Sequence, residues 1–213
     1  MQLLVDGTAA DERFDAGITL ENALRQVQAN LPKPGRLVVA IRCDGRDISG
    51  DELTDLLRLP LMKYSRLEVF TSSVGELVIG AMHQAAQSLQ ESESSCRRVG
   101  ELLAEGKTTE GVRLLGECLR FWQQIHEAVG KSIQLMRLDV DAMTINDEPF
   151  INVFGKPKEV LTQVKQALEA QDHVLLADVL QYEFTDVTDL WYAVIARIRQ
   201  TAEDRGDAAA PAS

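Results

Sequence analysis

The stretch RLEVFTSSVGEL, residues 66–77, decides the fold. Up to Thr71 its apolar side chains alternate. Leu67 and Val69 fall on one face and Phe70 on the other, which is the pattern of a strand. From Ser72 or Ser73 onward the spacing changes. Leu77, Ala81, Ala85 and Leu89 recur every three or four positions, which predicts a helix running to about Ala104. The change of period divides the chain into a small mixed unit, 1–72, and a helical unit, 73–205. A short tail, 206–213, is small and polar and is expected to be disordered.

Working back from the seam, residues 36–43 form the best strand. Leu37, Val39, Ile41 and Cys43 are expected on one face, with Val38, Ala40 and Arg42 on the other. Asp44-Gly45 turns it toward a short strand around Ile48, and Asp6-Gly7 closes a first strand over 2–6. Residues 12–15 are expected to pair with that first strand. Thr19 caps a helix carrying Leu20, Ala23, Leu24, Val27 and Leu31, which Pro32, Pro34 and Gly35 stop. Ser49 or Asp51 can cap a short helix holding Leu53, Leu56 and Leu57.

Working forward, the first long helix keeps its stripe through Cys96, Val99 and Leu103, interrupted by polar 90–95, where fraying or a kink is expected. Glu105-Gly106-Lys107 is a tight connection, and Thr108 or Thr109 caps the next helix, with Val112, Leu115, Leu119, Trp122, Val129, Ile133 and Met136 on one side. Such a connection makes an antiparallel hairpin. Cys96 and Cys118 each lie eleven residues from Lys107 and should share one level of it, as reduced core thiols, with a disulfide as the lesser reading. Residues 139–155 read as an irregular crossover. Helical spacing returns over 156–170, and Asp172 caps a last helix through Leu176, Leu180, Phe184, Val187, Trp191, Val194 and Ile198. The predicted class is α+β: a mixed sheet followed by an antiparallel bundle of about four helices.

The order strand, strand, helix, strand, short strand, short helix, strand resembles the β-grasp fold of ubiquitin-like proteins. Conjugated and sulfur-carrying members of that family end in a free Gly-Gly tail. Here the closing strand leads into Ser72-Ser73-Val74-Gly75 and the chain continues. The resemblance therefore implies a docking module or structural cap. The segment Leu102-Leu103-Ala104-Glu105-Gly106, followed by Gly111-Val112-Arg113-Leu114-Leu115, is similar to the helical hairpin of flagellar export chaperones of the FliS type. The whole arrangement also resembles uncharacterised bacterial proteins.

The net charge of −11 is uneven: −2 over residues 1–72 and −9 over the remainder. Such an acidic helical half repels phosphate backbones, so no nucleic acid is expected as a partner. The longest uncharged apolar-rich segment, 77–90, is too short and polar to insert into a membrane. Three cysteines without a CxxC, and no basic, apolar leader after Met1, make a reducing cytoplasm the expected setting.

Catalytic patterns fail one by one. Gly106-Lys107-Thr108 lacks the glycine a P-loop needs five positions earlier, because Glu101 stands there, and a helix precedes it. His83, His126 and His173 are dispersed, with no HExxH, and there is no GxSxG. Asp139, Asp141, Asn146, Asp147 and Glu148 supply hard oxygens for Ca²⁺ or Mg²⁺, but Met143 breaks EF-hand spacing. Asp178, Glu183, Asp186 and Asp189 read as an acidic solvent face. Val174, Leu175, Leu176, Val179 and Leu180 are apolar over more than one stripe, which calls for burial in the bundle or by a partner. The sequence thus predicts a non-enzymatic interaction module, adaptor or chaperone, with no cofactor, metal or catalytic residue. Its partner is another protein or a second copy, contacted through Trp122, Val174, Leu175 and Tyr182. A flagellar or secretion chaperone, and a metal-dependent enzyme using the 139–148 loop, are the alternatives.

Overall fold

The computed structural model describes residues 1–15, 17–31, 35–48 and 50–208. The expected breakers Pro32 and Pro34, the expected cap Ser49 and residues 209–213 of the expected tail lie outside these. The side chains of Asp51 and 206–208 do so too. The chain divides into two compact units, Met1–Leu77 and Val78–Ser213.

In the first unit the elements are β1 (Gln2–Val5), β2 (Thr8–Ala9), α1 (Leu20–Ala29), β3 (Arg36–Cys43), β4 (Arg46–Ile48), α2 (Gly50–Leu57) and β5 (Arg66–Ser73). The sheet order is β2-β1-β5-β3-β4. β1 is parallel to β5 and the other pairings are antiparallel, a β-grasp-like mixed sheet. Both Asp-Gly pairs form two-residue hairpin turns with positive φ at each position, 49° and 78° at Asp6-Gly7 and 50° and 84° at Asp44-Gly45. The core gathers Leu3, Leu20, Ala23, Val27, Ile41, Leu61, Leu67 and Val69. Thr19 Oγ1 caps α1 by accepting from the Asn22 N–H.

Two expectations fail here. The partner of β1 is Thr8–Ala9, not residues 12–15, because the Asp6-Gly7 turn reverses the chain within two residues. The face assignment of β3 also breaks. Its pairing with β5 shifts between Val38 and Ala40, and a bulge changes which side chains face inward. Ile41 and Cys43 are buried, Leu37 and Val39 are exposed, and Val38 packs on the core.

The seam itself is a capping box. Ser73 Oγ accepts from the Glu76 N–H at 3.1 Å, and Glu76 Oε2 accepts from the Ser73 N–H at 2.9 Å. These bonds, the Ser73 amide first and the Ser72 hydroxyl next, hold the Glu76 carboxyl below its ordinary range.

The helical region contains α3 (Val74–Ala104), α4 (Thr108–Met136), a hairpin of β6 (Thr144–Ile145) and β7 (Glu148–Pro149), α5 (Phe150–Glu169), α6 (His173–Asp178), a π-helical turn (Val179–Glu183) and α7 (Phe184–Ala208). Gly106, at φ 74°, ends α3. The Lys107 N–H returns to the Leu102 carbonyl and the Gly106 N–H to that of Leu103. α3 is helical without a break through 90–95, where Ser92 is buried and its hydroxyl meets Cys118 Sγ at 3.1 Å. On α4 the buried position of the first turn is Gly111 rather than Val112, which is exposed. Cys96 and Cys118 do share a level, with Cα atoms 6.4 Å apart, but they are joined as a disulfide rather than left as thiols.

The crossover is shorter and more regular than expected. Asn146 and Asp147 take φ of 49° and 68° and close the β6–β7 hairpin. α5 begins at Phe150, six residues before the expected start, and accommodates Pro157. Asp172 Oδ1 caps α6 through the Leu175 N–H at 2.9 Å. The predicted stripe from Leu176 to Ile198 is buried throughout. No helix among the described residues is long and apolar enough to cross a membrane.

Candidate functional site

The core of the helical unit is aromatic, and its edge is open. Trp122 on α4 meets Phe184 edge-on at 5.3 Å and Trp191 at 5.4 Å. Phe154 on α5 stacks on Trp191 at 5.6 Å and on Phe150 at 5.4 Å. His126 lies against Phe154 at 4.1 Å, with one side left to solvent. This partial burial holds the His126 imidazole below its ordinary pKa.

Beside this cluster a groove of about 940 Å³ runs between α4 and α5. On α4 its wall is built from Leu119, Trp122, Gln123 and His126, at spacings of three, one and three. On α5 it is built from Pro157, Leu161, Val164 and Leu168, at spacings of four, three and four. The α5 set is an a/d seam of the kind that in a helix bundle faces another helix. Leu119, Leu161 and Leu168 are only partly covered, so the seam is not closed by the described residues.

The rim is polar. Lys158 and Lys165 stand two turns apart on α5, and Glu127 lies on the α4 side. Glu127 is bound to Lys131 at 2.6 Å, which lowers its carboxyl pKa. Lys165 faces Glu169 at 3.7 Å. Lys158 has no acidic partner among the described residues.

The four expected contact residues do not lie together. Trp122 is 2% exposed and belongs to the core, lining the groove from within; expecting it as a surface contact is corrected by its packing on Phe184 and Trp191. Val174, Leu175 and Tyr182 are 72%, 44% and 62% exposed, on α6 and the π turn. The groove itself was missed, because it depends on two helices some forty residues apart in sequence meeting side by side. Its one local signal was the 157–161–164–168 spacing.

The acidic loop offers no chelating geometry. Asp139 Oδ1 accepts from the Asp141 N–H at 3.2 Å, Asn146 and Asp147 form the hairpin turn, and Glu148 Oε2 is bound by Lys156 Nζ at 2.6 Å. Among the described residues no group of three or more His, Cys, Asp or Glu is placed to hold a metal. His83 meets Gln87 at 3.2 Å, and His173 Nδ1 is buried without a partner among the described residues.

Residues 1–73 match the family model described as TP0873 N-terminal domain, and residues 80–194 match that described as Domain of unknown function (DUF8042). Neither description names a ubiquitin-like or flagellar-chaperone family. No curated protein and no solved structure matches the chain. Both groove helices fall largely or wholly inside the second match, which spans more than half of the sequence, and the chain therefore belongs to the family of domains of unknown function DUF8042.

Proposed function

We propose that this protein is a non-enzymatic interaction module, of adaptor or chaperone type, that receives an amphipathic helix in the α4–α5 groove. The observation that carries the reading is the half-covered seam Pro157, Leu161, Val164 and Leu168 facing Leu119 and Trp122. Helix-in-groove recognition needs such a pair of apolar walls, and anchors at i, i+3, i+4 and i+7 on the guest. Burying the exposed part of this seam is favourable at about 25 cal/mol per Å². In the 139–148 segment Asp139 and Glu148 are taken up by the Asp141 N–H and by Lys156.

A photoreactive residue at Gln123, on the rim, tests this in the native cell. The expected result is crosslinking to an amphipathic helix, abolished by Leu161→Asp in a protein that keeps its helical circular dichroism. Crosslinks that survive Leu161→Asp, or none at all, refute the groove as the binding surface.

A further inference from the structure

The groove and the exposed apolar ridge beside it differ in charge. Residues 149–165 carry three lysines and one glutamate, whereas residues 166–196 carry six acidic side chains and no lysine or arginine. The ridge on α6 and the π turn exposes Val174, Leu175 and Tyr182, flanked by exposed Asp178 and Asp186. The groove, apolar between its walls, has Lys158 and Lys165 on its α5 rim and Glu127, bound to Lys131, on the α4 side. The ridge therefore sets Asp178 among its apolar side chains, a pattern that the groove's apolar walls and α5 lysines would select.

The dimensions agree. Lys158 and Lys165 are about 10 Å apart along α5, and Asp178 and Asp186 about 12 Å apart along the ridge, at about 1.5 Å per residue. The ridge of one copy cannot fill its own groove, because Val174 and Tyr182 are mostly exposed within the chain. α6 follows α5 after a turn at Ala170–Asp172 that returns the Asp172 N–H to the Ala167 carbonyl, so ridge and groove are neighbours. A two-fold axis can then place each ridge in the other copy's groove at once.

We propose that the chain forms a two-fold homodimer in which the ridge carrying Val174, Leu175 and Tyr182 of each copy lies in the α4–α5 groove of the other, with Lys158 and Lys165 facing Asp178 and Asp186. This rests on the groove reading above and names its occupant as a second copy. A foreign helix would cover the groove and leave the ridge exposed; a second copy covers both. The pairing also places the unpartnered Lys158 beside a carboxylate.

Sedimentation velocity on the full chain tests the proposal. The wild type should be a dimer. Lys158→Glu/Lys165→Glu and Asp178→Lys/Asp186→Lys should each associate at least tenfold more weakly, since like charges then face each other. An equimolar mixture of the two should dimerise again. All four residues are exposed, and circular dichroism checks that each variant folds. A zero-length carbodiimide on mixed ¹⁴N and ¹⁵N wild-type protein should join lysines of one copy to ridge carboxylates of the other. A wild type that stays monomeric up to roughly 100 μM, variants that dimerise like wild type, or crosslinks confined to single chains each overturn the dimer. A monomer whose Gln123 probe still captures a helix of another protein keeps the groove reading and discards the second copy; loss of both discards both.

Discussion

Trp191 tests whether the aromatic cluster holds the helical unit together. It is fully buried, with Trp122 at 5.4 Å, His126 at 5.5 Å and Phe154 at 5.6 Å. Trp191→Ala removes a large side chain from a site that rigid helices cannot collapse around. The expected loss is about 3–5 kcal/mol. For a unit of this size that is a fall in midpoint of roughly 10–15 °C. Trp191→Phe separates two effects. It loses about two buried carbons, roughly 1.5 kcal/mol. It also removes an indole N–H that has no acceptor among the described residues, and such a group costs about 1–3 kcal/mol. The two nearly cancel, so Trp191→Phe should lie within about 1 kcal/mol of wild type. Urea unfolding followed at 222 nm is the assay, because fluorescence would retain only Trp122. The two compact units can unfold separately, so the transition is assigned from a fragment-free global fit to both. If Trp191→Phe costs as much as Trp191→Ala, the indole N–H is satisfied and the reasoning is wrong.

Three further outcomes follow from individual contacts. Asp172→Ala should cost about 1 kcal/mol by removing the cap on the Leu175 N–H, while Asp172→Asn stays close to wild type in the same urea titration. His126 has a folded pKa below its unfolded one; the unfolded chain then binds the extra proton first, so stability present at neutral pH falls as pH drops below about 6.5. His126→Phe should flatten that slope in urea midpoints measured across pH, and an unchanged slope refutes the assignment. Alkylation of the unfolded, unreduced chain should label Cys43 alone, and three cysteines after reduction. Reduction should cost up to about 3 kcal/mol for a loop of this length, and three labels before reduction would remove the disulfide.

What could be read from the sequence was whatever a single segment determines by itself. The stripe from Leu176 to Ile198 is buried because its apolar residues recur every three or four positions along α6, the π-helical turn and α7. Asp6-Gly7 and Asp44-Gly45 are hairpin turns because the turn needs positive φ at both positions and those residues tolerate it. Asn146-Asp147 makes the same turn without glycine, which is why 139–155 read as irregular. α5 was begun six residues late because Gly155 and Pro157 lower helix propensity inside its first turns, while packing of Phe150, Val153 and Pro157 overrides that local preference. The β3 bulge could not be read because nothing in residues 36–43 distinguishes it; it arises only from the shifted register with β5.

The groove failed to appear for a different reason, and so did the charge pattern around it. A wall needs two seams, and the α4 and α5 seams are joined in space by the hairpin and crossover, not in sequence. The net charge of −9 over the helical part conceals a division at Lys165: cationic residues cluster immediately before it and none recurs until Arg197. A sum over the unit argues against a polyanionic partner, because the long-range field is negative. It says nothing about contacts at a few ångströms, where screening over about 8–10 Å leaves Lys158 and Asp178 to act locally. The acidic ridge then has a consequence beyond solubility. Facing the α5 lysines of a second copy, the same carboxylates that keep the protein dispersed would also favour the orientation in which two copies meet.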